Sequence, residues 1–273
     1  MSQQTNKGTA LVTGSSSGIG AIYADRLARR GYDLILVARD KAKLDTLAAK
    51  LAKDTGRKVE VLAADLNAKT DLRRVEERLK SDPNITALVN NAGVGSAGPL
   101  LTSDVDQMDA MIQLNVVALT RLALAAAPAF VARKNGIIVN IASMVALDPD
   151  VLNGTYSGTK AYVVNFTQAL HKEFKGSGVQ VQAVLPGAIA TNFWDLAGVP
   201  VAHLPEGIVM QADELVDAAL AGLDLGELIT IPSLPDVQEW ENYDAARKAL
   251  GPKLSRTHAA NRYKNKSGEK LSA

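Results

Sequence analysis

No cysteine occurs among the 273 residues, which excludes disulfides, thiolate nucleophiles, iron–sulfur clusters and cysteine-ligated zinc. Histidine is nearly as scarce: His171, His203 and His258 are scattered without metal-ligand spacing, so no metal is expected. Charge has no bias, because 30 Lys and Arg face 29 Asp and Glu, and the net charge of +1 gives no general drive toward nucleic acid. No apolar run approaches the ~20 residues of a membrane span, and no membrane partner is expected. The polar start, Met1 to Gly8, lacks the basic-then-apolar plan of a secretory leader, so the expected location is the cytoplasm. What remains is a chain whose partner is a small molecule.

Hydrophobic residues make up 47% of the chain in short runs, enough for a sizeable core. Aliphatic and β-branched runs at 9–12, 33–38, 59–63, 87–90, 136–141, 179–185 and 228–231 read as strands. Between them, 18–30, 41–53, 69–80, 103–133, 155–175 and 212–223 read as helices. This alternation predicts repeated βαβ units, a parallel sheet covered on both faces, and one α/β domain over 1–273. Two stretches break the rhythm. Residues 191–211 carry Phe193, Trp194, Leu196, Val199, Pro200 and Pro205, and exposed aromatics in a loop call for something to cover, so a substrate lid is expected. From 233 to 273 the chain reads as a polar extension. Its stretch from Leu234 to Leu254 fits either a subunit interface or a helix on its own subunit, and its basic end holds Arg256, Arg262, Lys264, Lys266 and Lys270.

Three motifs carry chemistry. In Tyr156-Ser157-Gly158-Thr159-Lys160, residues four apart share a helix face, so a phenol and an ammonium can meet in one pocket. A neighbouring positive charge favours the phenolate and makes a group that ordinarily titrates near ~10 a usable acid/base. An exposed helix pair is the bland alternative. Ser143, thirteen residues before Tyr156, either joins that site or caps a turn after the fifth strand. Gly14, Gly18 and Gly20, between the first strand and first helix, would let the backbone approach a pyrophosphate at the helix N-terminus, although a glycine turn alone is a weak signal. Their spacing departs from G-x-G-x-x-G.

Thr13-Gly14-x-x-x-Gly18-x-Gly20, followed by Asn90-Asn91-Ala92-Gly93, Asn115, Ser143, Tyr156-x-x-x-Lys160 and Pro186-Gly187, resembles the short-chain dehydrogenase/reductase family, in its alcohol- and carbonyl-active branch. The resemblance runs from about Thr9 to Ile231. It implies a Rossmann-like doubly wound parallel sheet of about seven strands and a nicotinamide cofactor. The implied cofactor-binding residues are Gly14, Ser15, Ser16, Ser17, Gly18, Ile19 and Gly20 in the glycine loop, Asp65 and Leu66 at the adenine, and Asn91, Ala92 and Gly93 beneath the adenosine ribose. Pro186, Gly187, Ile189 and Thr191 would flank the nicotinamide. Ala38 stands where an acid would select NAD, and Arg39 follows where NADP users carry a base, so NADP is expected over NAD. The competing reading leaves Arg39 as a surface arginine, with Asp40 able to swing back to the ribose.

The same resemblance implies four catalytic residues. Tyr156 would exchange the proton of the carbonyl or alcohol oxygen, and Ser143 would hydrogen-bond that oxygen. Lys160 would lower the Tyr156 pKa and hold the nicotinamide ribose, and Asn115 would bind a water linking Lys160 to solvent. An Asn inside a helix is otherwise unfavourable, which gives Asn115 independent weight. Met144, Val145, Ala146 and Leu147, with Phe193, Trp194 and Leu196, suggest a pocket for a small apolar carbonyl or alcohol, with Asp148 and Asp150 near it. Family members usually pair through the 103–133 and 155–175 helices, which implies a homodimer or homotetramer. Two functional readings follow: an NADP-dependent enzyme interconverting a carbonyl and an alcohol, and a non-catalytic NADP-sensing or scaffold protein on the same fold.

Overall fold

Seven parallel strands form the central sheet, in the order β3-β2-β1-β4-β5-β6-β9. The computed structural model describes residues 6–199 and 201–263, including all side chains there except those of Asp195 and Leu196. The expectations made for the polar N-terminus before Asn6, the Leu196 side chain, Pro200, Lys264, Lys266 and Lys270 therefore lie outside the described residues. In chain order the elements begin β1 (Thr9–Thr13), α1 (Gly18–Arg29), β2 (Asp33–Ala38), α2 (Lys41–Thr55), β3 (Val59–Ala63), α3 (Lys69–Ser81) and β4 (Ile85–Asn90). They continue with α4 (Val105–Ile112), α5 (Leu119–Ala132), β5 (Gly136–Ile141), α6 (Gly154–Glu173), β6 (Val179–Val184), β7 (Ala188–Ile189), α7 (Phe193–Leu196), β8 (Val209–Met210), α8 (Ala212–Leu225), β9 (Ile229–Thr230) and α9 (Val237–Leu250).

Strand side chains alternate between two cores, as a sheet buried on both faces requires. Ala10, Val12, Leu34 and Leu36 join one cluster with Tyr23, Leu27, Leu44, Leu215 and Leu220 from α1, α2 and α8. Leu11, Ile35 and Val37 join the other with Leu72, Val75, Leu122, Phe130 and Leu170 from α3, α5 and α6. Several polar groups that enter the core are paired: Asn90 Nδ2 donates to Asn140 Oδ1 at 3.0 Å, and Asn140 Nδ2 donates to Thr167 Oγ1 at 3.0 Å. Buried Glu76 of α3 receives the Arg121 guanidinium of α5.

Two sequence expectations change. The helix expected over 103–133 is α4, a π-helical stretch at Gln113–Ala118, and α5. Together Val105–Ala132 is long and apolar enough, by length and composition, to cross a membrane, a run the sequence reading missed. Half of it is buried inside the fold, the usual state of a core helix. The chain divides into two compact units, Met1–Ser233 and Leu234–Ala273. In the second unit, α9 is capped by Asp236, whose side chain accepts from Gln238 N, and Asp244 pairs with Lys248 at 2.6 Å.

Candidate active site

All the chemistry-bearing residues lie at the carboxyl ends of the strands, where open parallel sheets bind ligands. Tyr156 and Lys160 sit one turn apart on α6. Asn153 starts that helix, its Oδ1 accepting from Thr155 N at 2.9 Å. Ser143 follows β5, and its Oγ accepts from Val145 N at 3.4 Å and lies 3.5 Å from Pro186 O. Tyr156, Ser143 and Lys160 are all buried, and all three line one cavity of about 1000 Å³. The phenol hydrogen-bonds Ser143, and Lys160 Nζ lies 5.7 Å from the centre of the Tyr156 ring.

Burial dominates the electrostatics here. It pushes the Tyr156 phenol up to about 12 against the opposing effect of the Ser143 hydrogen bond. It also pushes the Lys160 ammonium down to about 8. The sequence reading had Lys160 lowering the Tyr156 pKa; burial acts on the phenol in the opposite direction. Lys160 Nζ donates to the carbonyl of Ile141 at 2.9 Å, and removal from water is what lowers its pKa. The Tyr156 proton is therefore firmly held near neutrality, and Lys160 is the group whose charge is within reach of physiological pH.

Asn115 occupies the π-helical stretch, a feature frequent at functional sites. Its amide clasps Val94: Oδ1 accepts from Val94 N at 3.0 Å and Nδ2 donates to Val94 O at 2.8 Å. Nδ2 also donates to Thr159 Oγ1 at 3.1 Å. Both amide protons are thus used, and one Oδ1 lone pair remains for a water. This side chain fixes the loop after β4 against α6 and stands behind the cavity wall.

The glycine loop fits a nucleotide. Gly14 has φ 66°, and a Cβ there would fall 2.8 Å from Asn91 Nδ2, which itself donates to Thr13 O at 2.9 Å. A Cβ on Gly20 would come within 2.5 Å of the same Nδ2, so the loop and the β4 end close only around bare backbone. Thr13, not singled out from sequence, is the organiser: its Oγ1 accepts from Asn91 N and Ala92 N, each at 3.0 Å. The N-terminus of α1 has no side-chain cap and no acidic residue in its first turn, so its N–H groups are available to a phosphate.

Gly14, Ser17, Gly18, Ile19, Asn91, Ala92, Gly93, Pro186, Gly187, Ile189 and Thr191 line the main cavity, as expected of cofactor-binding residues. Ser15, Ser16, Gly20, Arg39, Asp65 and Leu66 do not. Ser15 Oγ donates to Val37 O at 3.4 Å, and Ala64 N donates to Ala38 O at 2.9 Å, so the Ser15, Arg39 and Asp65 turns adjoin at the sheet's upper edge. Arg39 is exposed there. Asp40 is committed elsewhere, because its carboxylate caps α2 by accepting from Lys43 N at 3.0 Å. That removes the alternative in which it turns back to a ribose. Asp65 accepts from Asn67 N at 3.0 Å, and Leu66 is buried in the core.

The other end of the cavity is apolar. The 191–211 segment arches between β7 and β8, a short parallel ladder pairing Ala188 with Val209 and Ile189 with Met210. Phe193, Trp194, Leu204, Pro205, Ile208 and Met210 face Val94, Met144, Val145, Val151 and Leu152 across it. Trp194 is pinned by its Nε1, which donates to Ile189 O at 2.9 Å. Asp148 and Asp150 are exposed and outside the lining, and Lys160 and Glu214 are its only charged members among the described residues. Asn153 is a positioning residue that sequence reasoning missed. Buried, it donates from Nδ2 to Gly98 O and Ser103 Oγ, both at 2.9 Å, joining the loop before α4 to the start of α6. Its place three residues before Tyr156, ahead of the helix, was the available signal.

Residues 8–197 match the family model described as short chain dehydrogenase. The chain is 35% identical over 188 residues to a very-long-chain 3-oxoacyl-CoA reductase of Anas platyrhynchos, covering 67% of this chain and 60% of that protein. A solved short-chain dehydrogenase from Sphingobium yanoikuyae, in complex with NADPH, superposes with a TM-score of 0.91 and 49% identity, covering 94% of this chain and all of that one. The bulky-bulky ketone specific alcohol dehydrogenase from Comamonas testosteroni gives 0.87 and 45%, covering 95% of this chain and 99% of that one.

Proposed function

The chain belongs to the short-chain dehydrogenase/reductase family and takes NADP, and from that premise we propose that it interconverts ketones bearing two bulky apolar substituents with the matching secondary alcohols. The observation that carries this reading is the lid side of the cavity of about 1000 Å³, where aliphatic and aromatic side chains surround Tyr156 and Ser143, while the glycine-loop side is left to the cofactor. The similarity to the Comamonas testosteroni ketone-specific enzyme supports it. An acyl-CoA substrate is disfavoured, because its phosphates call for arginine or lysine and the described lining offers only Lys160, which is buried at the reaction centre.

The glycine loop, the α1 N-terminus and the 186–191 turn would hold the cofactor, and Arg39 would supply the positive charge for a 2′-phosphate. Bound NADPH supplies the hydride. In reduction, the Tyr156 Oη gives its proton to the carbonyl oxygen as negative charge grows there, and Ser143 Oγ donates a hydrogen bond to the same oxygen. A ketone oxygen sits beside these two hydroxyls; the substituents fill the apolar surroundings. The resulting phenolate regains a proton from solvent, with Lys160, the nearest group able to titrate near neutrality, relaying it. Alcohol oxidation reverses these steps.

The outer faces of α5 and α6 expose Leu124, Val131 and Tyr162, which supports a homo-oligomer built on those helices. The deciding assay follows absorbance at the reduced-nicotinamide band with NADPH and then NADH, over ketones and a 3-oxoacyl-CoA. Oxidation of NADPH by aryl alkyl and diaryl ketones is the expected result. Turnover confined to the thioester, or silence throughout despite NADPH binding, would overturn the reading, the latter in favour of a sensor.

A further inference from the structure

We propose that Phe193 is a specificity-determining side chain, seated in a notch at Gly95 and leaning on Tyr156, where it limits the substituent that lies beside the catalytic phenol. This rests on the ketone reading above. The Phe193 and Tyr156 rings lie 5.7 Å apart at 44°, while Phe193 meets Trp194 edge-on at 5.5 Å and 89°. Gly95 makes this seat possible: a Cβ there would fall 2.7 Å from Phe193 Cε2 and closer still to Cζ. The ring is thus inserted tip-first against bare backbone.

Its neighbours divide the work. Trp194 is anchored through Nε1 to Ile189 O of β7, and Ala97 N donates to Ala197 O at 3.2 Å, tying the end of α7 to the loop after β4. Trp194 is buried, whereas Phe193 is only partly buried and lines the cavity. The apolar cluster around Tyr156 comprises Met111 and Val145, with Val94, Met108, Met144, Leu152 and Phe193 against them. Of these, Phe193 is the one delivered by the lid. It therefore sets how much room stands beside the Tyr156 ring, while Trp194 and the Ala97–Ala197 bond supply separate anchors for α7.

The test compares kcat/KM for acetophenone and butyrophenone in the wild type, Phe193→Ala, Phe193→Leu, Gly95→Ala and the Gly95→Ala/Phe193→Ala double variant. Opening the wall should raise the butyrophenone-to-acetophenone ratio by at least about tenfold in Phe193→Ala and less in Phe193→Leu, the scale of one or two methylenes in an apolar pocket. Gly95→Ala should lower the melting temperature and kcat/KM while Phe193 is present and do little once the ring is gone, a non-additivity expected only of touching side chains. An unchanged ratio in Phe193→Ala, or equal effects of Gly95→Ala in both backgrounds, would overturn the proposal. Binding of the two ketones to the NADP+-loaded proteins, which hold no hydride to transfer, is followed by tryptophan fluorescence and gives the same ratio without turnover. Ketones that bind with the expected size preference but are never reduced would sink the ketone-reductase reading and leave the Phe193 wall standing; no size preference in binding would sink the wall.

Discussion

Lys160 donates from Nζ to the backbone carbonyl of Ile141 at 2.9 Å, deep beneath the phenol it shares a helix face with. Burial has moved this ammonium from about 10.5 down to about 8, so the folded protein releases the proton before the unfolded chain does. Stability then rises with pH between about 8 and 10.5, where the unfolded state binds more protons. Below that window the charged buried amine costs at most on the order of 3 kcal/mol. Lys160→Met should abolish turnover and remove that rise. Its stability near neutrality should change little, since the relief is offset by about 1–3 kcal/mol for the Ile141 carbonyl left without a donor. Thermal melts of both proteins from pH 7 to 10.5 check this; a parallel pair of curves would contradict it.

Tyr156 has the opposite sign. Its phenol is pushed up to about 12, so the folded state keeps a proton that the unfolded chain loses from about 10 upward, and this contribution to stability disappears as pH rises through 12. Tyr156→Phe should leave NADPH affinity nearly unchanged, lower kcat by at least roughly a hundredfold, and flatten the alkaline fall in melting temperature. Single-turnover kinetics with a saturating ketone separate the loss of proton transfer from any loss of binding.

Much of this was legible in sequence, and the gaps share a cause. Strands β2, β3 and β5 begin and end where their aliphatic runs do, because period-2 burial on both faces leaves little latitude. The break at Gln113–Ala118 was hidden, since it accompanies the clasp of Asn115 on Val94, a contact across 21 residues that local propensity does not encode. Asp40 is similar: a carboxylate after a strand reads equally as a ribose ligand or a helix cap, and only its bond from Lys43 N decides. Tyr156 and Lys160 were placed correctly by helix spacing, but their protonation was not. Charge proximity favours the phenolate and burial opposes it, and burial depends on the whole fold.

The proposed cofactor choice turns on one exposed cation. Arg39 follows β2 directly, and the neighbouring Asp40 is held by the α2 cap. Arg39→Asp should reduce the NADP-to-NAD preference in kcat/KM by at least about tenfold, the scale of one lost charge-assisted contact together with a new repulsion. Initial rates with both reduced cofactors measure it, and an unaltered ratio would assign the phosphate contact to another residue.

Asn153 offers a way to separate capping from loop anchoring. Its Oδ1 caps α6 at Thr155, while its Nδ2 holds Gly98 O and Ser103 Oγ. Asn153→Ala loses all three bonds and should destabilise the protein by about 1–3 kcal/mol, with a further loss in kcat because Tyr156 rides on that first turn. Asn153→Asp keeps the cap acceptor but turns a carboxylate oxygen toward the Gly98 carbonyl, so two donations become repulsion or vacancy. If loop anchoring dominates, the Asp variant should melt no higher than the Ala variant at pH 7. If the cap dominates, it should recover most of the wild-type melting temperature. All three bonds are partly buried, and two donor bonds lost outweigh one cap kept, so the first outcome is expected. Urea titrations of the three proteins, read alongside kcat for one good ketone, decide between them.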